Sequence, residues 1–576
     1  MKKMSDAINF TAELIQVARG LKPADLIISN ACIVNVFNGE IEKGSVAIYG
    51  GQIAGIGDYH LANEVIDIEG QYLLPGLING HTHVESSMLD IGQYASAVIP
   101  HGTLGVVTDL HEIANVSGIK GIDYFLRKSC PLPFEFFVMA PSCVPATHLE
   151  TAGAAIDGEA LRHLLRRKEV IGLGEMMNYP GVLSGETNVT DKIEASHGKP
   201  VDGHAPGMTG FDLNAYISSG ISSDHECVAL EEAKEKLSRG MYVMIREGSS
   251  EKNLEALLPL VTDLTYKRCL FVVDDRSCTD LLCDGDIDAV VRKAIRLGLE
   301  PVRAIQMATI NAAERFGLKR IGAVAPGYLA NLLVVRDLNR FEAGMVFYRG
   351  ELVARDGQLL YKPKENRRRN LGNTFRVKPF GPEALRLTSP CEIYPVIGVI
   401  PGQIITRKLE LKVLRDKNGF IIPDVERDIL KLAVVERHKA SGNIGRGMVQ
   451  GFGLKRGALA SSVAHDSHNI VAVGTNDIDI LTAIKQVVSM QGGLAAVEDG
   501  HVLASLPLPV AGLMSDRPRA EVVENLVCLE KTAQELGCGL AAPFATLSFL
   551  ALPVIPELRL TDMGLVDVDA FKIIQT

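Results

Sequence analysis

Cysteine is scarce and never closely paired. Ten cysteines are spread over 576 residues, and no two form Cys-x-x-Cys. That excludes a disulfide scaffold and fits a reducing cytoplasm. Basic charge is in deficit: a net charge of −10 works against nucleic-acid binding, which needs basic surface for phosphate contacts. Low-complexity tracts are missing, and 47% of residues are apolar, so the chain is not a disordered one. Met1 to Gly20 carries charges among its apolar residues and has no signal-peptide hydrophobic stretch. The uncharged run Leu536 to Pro556 contains Gly537, Gly539, Pro543 and Pro553. It reads as a buried segment broken by turns and not as a membrane span. Neither a Gly-x-Ser-x-Gly nucleophile elbow nor a Walker-type phosphate loop is present.

What is there changes texture along the chain. An amphipathic helix is predicted over residues 5–20. Short β segments follow between Ala24 and Leu74, parted by turns at Phe37-Asn38-Gly39 and Tyr49-Gly50-Gly51. From Tyr72, apolar strands alternate with helical stretches such as Leu230–Arg239 and Asp288–Leu297. Strand ends fall near His83, Asp109, Pro141, Glu175, His204, His225, Glu247 and Asp275. Eight strand–helix units fit a closed (β/α)8 TIM-like barrel better than a doubly wound open sheet. Residues 325–361 return to β character, and Lys362 to Asn370 is a charged linker. The expected α/β organisation is therefore an N-terminal helix (1–22) and a small β-sandwich drawn from both flanks (23–74 and 322–361). The barrel fills 75–321, and a C-terminal α/β domain occupies 371–576.

The chemistry gathers at those strand ends. His81 and His83 are two apart, so both imidazoles face the same side of a strand. Glu175, His204, His225 and the Asp274-Asp275 pair each close a strand of their own. The C-terminal ends of barrel strands form the catalytic face, and four histidines with two acids converging there make a metal site. His60, His148, His163, His197 and His501 fall outside the pattern and read as ordinary core or surface groups.

These residues carry a resemblance. Leu74-Pro75-Gly76-Leu77-Ile78-Asn79-Gly80-His81-Thr82-His83 resembles the first-strand signature of the amidohydrolase superfamily. More narrowly, four segments are similar to bacterial adenine deaminases: His81 to Met88, Thr108 to Asn115, Arg246-Glu247-Gly248-Ser249 and Asp274-Asp275-Arg276. So is the C-terminal run from Gly451 to Asn469. Two positions depart from the superfamily pattern, with Asn79 and Asn331 standing where Asp is usual.

The resemblance implies hydrolytic deamination of adenine to hypoxanthine and ammonia by a metal-bound hydroxide, in purine salvage. It implies two divalent ions, Mn or Fe first and Zn as a further option. His81 and His83 would hold one and His204 and His225 the other. Glu175 would bridge them where many relatives use a carbamylated Lys. Asp274 would be both ligand and general base. Glu247 and Glu85 are the candidates to protonate the ring nitrogen. Asp275 would read the purine edge, or else cap a helix. His111, Glu112 and Arg246 are candidates for substrate contact, with a structural turn the alternative for the first two. His465 and His468 lie in a polar run that either satisfies a turn or caps the barrel mouth against water. The zinc nucleobase-deaminase signature, His-x-Glu with Pro-Cys-x-x-Cys, is absent. The rivals are a cyclic-amide hydrolase of the dihydroorotase or hydantoinase type, which the missing strand-four Lys disfavours, and a non-catalytic barrel scaffold. Adenine is the expected partner, with no nucleic acid and no membrane, and a homodimer the expected assembly.

Overall fold

The computed structural model describes residues 2–361 and 371–574; the linker expected at 362–370 lies outside them. A helix spans Lys2–Ala18 and packs Leu14, Val17 and Ala18 against Ala24, Ile27 and Ala47. The flanking β segments form one nine-stranded sheet, with strands from Ala24–Val34 to Tyr72–Pro75 and from Leu332–Val335 to Gln358–Leu359. The sheet curls back on itself. The Ile53 N–H bonds the Tyr328 carbonyl at 2.8 Å, and the Gly327 N–H bonds the Ile53 carbonyl at 2.8 Å. Ile28, Ile33, Val46, Leu332 and Phe347 fill the space enclosed.

The barrel consists of β1 (Leu77–Thr82), β2 (Thr103–Asp109), β3 (Glu135–Ala140), β4 (Val170–Met176), β5 (Val201–Gly203), β6 (Ser223–Asp224), β7 (Tyr242–Arg246) and β8 (Cys269–Val272). All the pairings from β1 to β5, and from β6 to β8, are parallel. The strands are buried on both faces, as parallel strands wrapped by helices must be: β1 and β2 have no residue in contact with solvent to any extent that matters. Two seams close the ring. The Ser222 N–H reaches the Val201 carbonyl at 3.2 Å beside β5 and β6. Past β8, the Asp274 N–H reaches the His81 carbonyl at 3.0 Å. The strand ends predicted from sequence fall within a few residues of those observed. The predicted helices appear as Leu230–Ser238 and Ile287–Arg296.

The C-terminal part is built on an eight-stranded sheet from Ile393–Val399 through His501–Pro507. Its strands show the period-two division of a sheet covered on both faces. Ala458, Ala460, Ile470 and Ala472 pack under the helix Asp477–Ser489. Their alternates Leu459, Val471 and Val473 face the other way and join the core that continues into the barrel. Polar bonds stitch the same seam. The Thr561 hydroxyl donates to the Leu149 carbonyl at 2.7 Å. The Asp90 N–H donates to the Ser515 carbonyl at 3.0 Å. The uncharged run near residue 540 is a turn followed by the short helix Pro543–Phe549. Among the described residues no helix is long and apolar enough to cross a membrane. All ten cysteines are unpaired.

Candidate active site

Parallel strands ending on one face bring side chains from β1, β4, β5, β6 and β8 together, and Glu175 sits at their centre. Its Oε1 lies 3.1 Å from His83 Nε2 and 4.0 Å from His81 Nε2. Its Oε2 lies 2.8 Å from His204 Nδ1 and 3.4 Å from His225 Nε2. Asp274 Oδ1 completes the first group, 3.3 Å from His81 Nε2 and 3.1 Å from His83 Nε2. The His81 and His225 rings stack with centroids 4.2 Å apart. All of these residues are buried except His204, whose side chain is 22% exposed.

The donor set suits a divalent cation. Within each of the groups His81–His83–Glu175 and Glu175–His204–His225, one ligand atom per residue lies within 4.8 Å of the others. Neither ring nitrogen of His81 has a hydrogen-bond partner, nor does His225 Nδ1, although both rings are buried. Buried polar atoms of this kind are rare without an ion or water to satisfy them. Imidazole with carboxylate, without thiolate, matches borderline to hard divalent ions. His83 Nδ1 donates to the Asp109 carbonyl at 2.9 Å, which fixes the tautomer and leaves Nε2 for a ligand bond.

Asp274 is held from three sides. Its backbone takes a left-handed φ of 57°, uncommon for a residue with a side chain and a form of strain that gathers at functional sites. Its carbonyl accepts the Thr82 hydroxyl at 2.9 Å and the His83 N–H at 3.3 Å. Its Oδ2 accepts Arg246 Nη1 at 2.5 Å. Burial pushes the Asp274 carboxyl up, but Arg246 and the two imidazoles outweigh it and hold it well below the usual carboxylate range. Glu175 is likewise held down against burial by His204, His225 and His83.

The remaining sequence candidates separate. Burial and the nearby Glu112 charge push Glu85 up to about 7. Its Oε1 accepts the Ile113 N–H at 3.2 Å, and its Oε2 is buried without a partner. Glu247 is engaged elsewhere: one oxygen pairs with Lys293 and the other accepts the Leu254 N–H at 3.2 Å. Asp275 receives the Ser86 hydroxyl. It is no helix cap, because Ser277 caps Cys278–Cys283 by accepting the Asp280 N–H at 3.1 Å. His111 lies at the edge of the cluster, its Nδ1 3.4 Å from Glu175 Oε1. Glu112 reaches the loop between the C-terminal strands Ala458–Ser461 and Ile470–Gly474, where His465 Nδ1 donates to it at 2.8 Å and His468 Nε2 also contacts it. His465 rises to about 9, with Glu112 overriding burial, while burial takes His468 down to about 4. Arg246, expected against substrate, spends Nη1 and Nη2 on Glu226 at 2.7 and 3.1 Å as well as on Asp274.

Glu226 is the residue that sequence reasoning missed. Its Oε1 lies 3.2 Å from His225 Nε2 and 3.6 Å from His204 Nδ1. An acid directly following a strand-end histidine was the available signal. Asp202 was missed too: its Oδ2 lies 3.8 Å from His81 Nδ1, and its Oδ1 accepts Arg315 Nη2 at 2.9 Å. The Asn79 departure has a local reason. Its amide donates to Asp286 Oδ1 at 3.2 Å, where an Asp would set two buried carboxylates against each other.

Comparison with known proteins gives the same picture from another direction. Residues 72–353 match the amidohydrolase family, and residues 403–572 match the adenine deaminase C-terminal domain. An adenine deaminase of Dehalococcoides mccartyi is 64% identical over 563 residues, 98% of each chain. "Adenine deaminase 2" of Carboxydothermus hydrogenoformans is 49% identical over 563 residues, again 98% of each. Among solved structures, a β-aspartyl dipeptidase of Fervidobacterium islandicum is similar at 17% identity and a TM-score of 0.45, over 59% of this chain and 98% of that one.

Proposed function

The chain belongs to the adenine deaminase family, and from that premise we propose how its residues convert adenine and water to hypoxanthine and ammonia. One observation carries the reading: the two oxygens of Glu175 divide between the His81–His83 pair and the His204–His225 pair. His81, His83 and Asp274 would hold one divalent ion, His204 and His225 a second, and Glu175 would be shared. The ions are Mn or Fe in first place and Zn in third. When bound they supply Lewis acidity, which makes water a competent nucleophile near neutral pH.

The protein groups do the rest. Asp274, kept anionic by Arg246, takes the proton of the attacking water and delivers it to the departing amine. Glu85, with a proton affinity near neutrality, protonates the ring nitrogen as C6 becomes tetrahedral. Asp275, steadied by Ser86, hydrogen-bonds the imidazole side of the purine. Arg246 acts on Glu226 and Asp274, setting their orientation. The segment that carries His465 and His468 roofs the mouth through Glu112 and excludes water from the reacting atoms. His111 lines the wall between roof and Glu175. We place the reaction in cytoplasmic purine salvage, which the ten unpaired cysteines support, and take a homodimer as the assembly that sedimentation should find.

The test is direct. Purified protein should release hypoxanthine and ammonia from adenine, and leave adenosine and dihydroorotate untouched. It should carry close to two ions per chain, lose activity in chelator and regain it with Mn. Full activity in metal-free protein would overturn the reading.

A further inference from the structure

The barrel is thinnest where half of the proposed metal set sits. β5 has three residues and β6 has two, so sheet hydrogen bonds hold little of the backbone that carries His204 and His225. A buried ion pair takes their place. Lys236, on the helix Leu230–Ser238, is completely buried, as is Asp224 at the end of β6. The two meet at 3.0 Å.

Their other bonds fall on the residues next to the histidines. Asp224 Oδ1 accepts the Ala205 N–H at 2.8 Å, and Lys236 Nζ donates to the Ala205 carbonyl at 2.6 Å. Both backbone groups of the residue after His204 are thereby fixed. Asp224 Oδ2 accepts the N–H of Glu226, the residue after His225, at 3.2 Å. The third ammonium proton goes to Glu232 Oε1 at 2.6 Å, so all three donors are used. The His81–His83 half depends on other bonds: the His83 ring to the Asp109 carbonyl and the His81 backbone N–H to Asn79 Oδ1. A buried ion pair is often no more stabilising than the apolar residues that could replace it, so fold stability alone does not account for this one.

We propose that the Asp224–Lys236 pair is a positioning device for one half of the metal centre, setting the affinity of the His204–His225 site while leaving the His81–His83 site alone. The inference rests on the two-ion reading above, and the experiment separates the two. Metal-free wild-type protein is titrated with Mn against a fluorescent chelator. Binding of fewer than two equivalents by the wild type defeats the two-ion reading itself. Given two, Lys236→Met should keep the first at wild-type affinity and weaken the second about 10- to 100-fold, the usual size of an outer-ligand effect. Glu232→Gln, which takes the charge from a partner of the same ammonium without touching Ala205 or Glu226, should keep both. Unchanged affinity for both ions in Lys236→Met, or equal loss of both, overturns the proposal. If Lys236→Met does not fold, Asp224→Asn/Lys236→Met, with both charges gone, is read in the same way. Amide exchange in the wild-type holoenzyme gives an independent check: Ala205 and Glu226 should be protected, and rapid exchange at both would sink the idea.

Discussion

Glu112 Oε1 meets His465 Nδ1 at 2.8 Å, although 353 residues separate them in sequence. One belongs to the helix that follows β2, the other to the C-terminal domain. The contact ties the C-terminal domain to the edge of the histidine cluster, and His465 in turn stacks on Phe549 with centroids 4.5 Å apart.

His465→Ala and His468→Ala should therefore impair deamination and leave the metal content of the barrel as it was. Each removes one of the three imidazoles around Glu112, His111 being the third, and on the proposed roof would loosen the exclusion of water. Steady-state kinetics beside elemental analysis and thermal melts checks this. Variants that lose melting temperature while their folded fraction remains fully active would show the segment to be structural only.

Asp274→Asn should cut kcat by about 10²- to 10⁴-fold, the size of a lost general-base contribution, while most metal stays. The amide keeps the shape and gives up the proton acceptor. Asp275→Asn should act mainly on KM, as expected of a group that reads the purine edge. A near-wild-type rate in Asp274→Asn would remove Asp274 from its role as base.

Glu175→Gln should deplete metal more than Asp274→Asn does. The carboxylate faces both imidazole pairs and offsets the mutual repulsion of two cations; the amide cannot. Elemental analysis of both variants, purified alike, makes the comparison. Unchanged metal in Glu175→Gln would mean that another group bridges.

Glu85 and Glu247 can be told apart by pH. Glu85 has its folded value raised to about 7, so it holds its proton below that pH and yields it above. Activity requiring that proton should fall as pH climbs past about 7. Glu85→Gln should lower kcat and flatten this limb. Glu247→Gln should instead lower the melting temperature, because it strands the half-buried Lys293 ammonium, and leave the profile's shape intact. An unaltered profile in Glu85→Gln would shift the acid's role elsewhere.

Much of the barrel and of the cluster of histidines and acids at its mouth was legible because both are local. A strand is an apolar run, its end is a turn, and the residue at that end points into the mouth. His81, His83, Glu175, His204, His225 and Asp274 could each be found from a few neighbours. What stayed hidden depends on long-range distance. Glu226 follows His225 directly, yet its meeting with His204 and Arg246 follows from how β5, β6 and β7 sit side by side. Lys236 looked like one more charged residue on an amphipathic helix, and only its burial against Asp224 reveals its employment. Asp275 as a helix cap was the alternative reading from sequence, and it fails because Ser277, two residues further on, caps the helix Cys278–Cys283.

The order of the parts along the chain has a consequence for biosynthesis. The residues that face Glu175 most closely lie between positions 81 and 225, and Asp274 completes them, whereas the segment proposed to roof them carries His465 and His468. On the proposed ligand set, every ligand is therefore present in the sequence when the chain is about half made, before the segment of His465 and His468 exists. If the segment of His465 and His468 is the roof proposed above, a metal bound before it is made and a metal kept afterwards would meet different chemical environments.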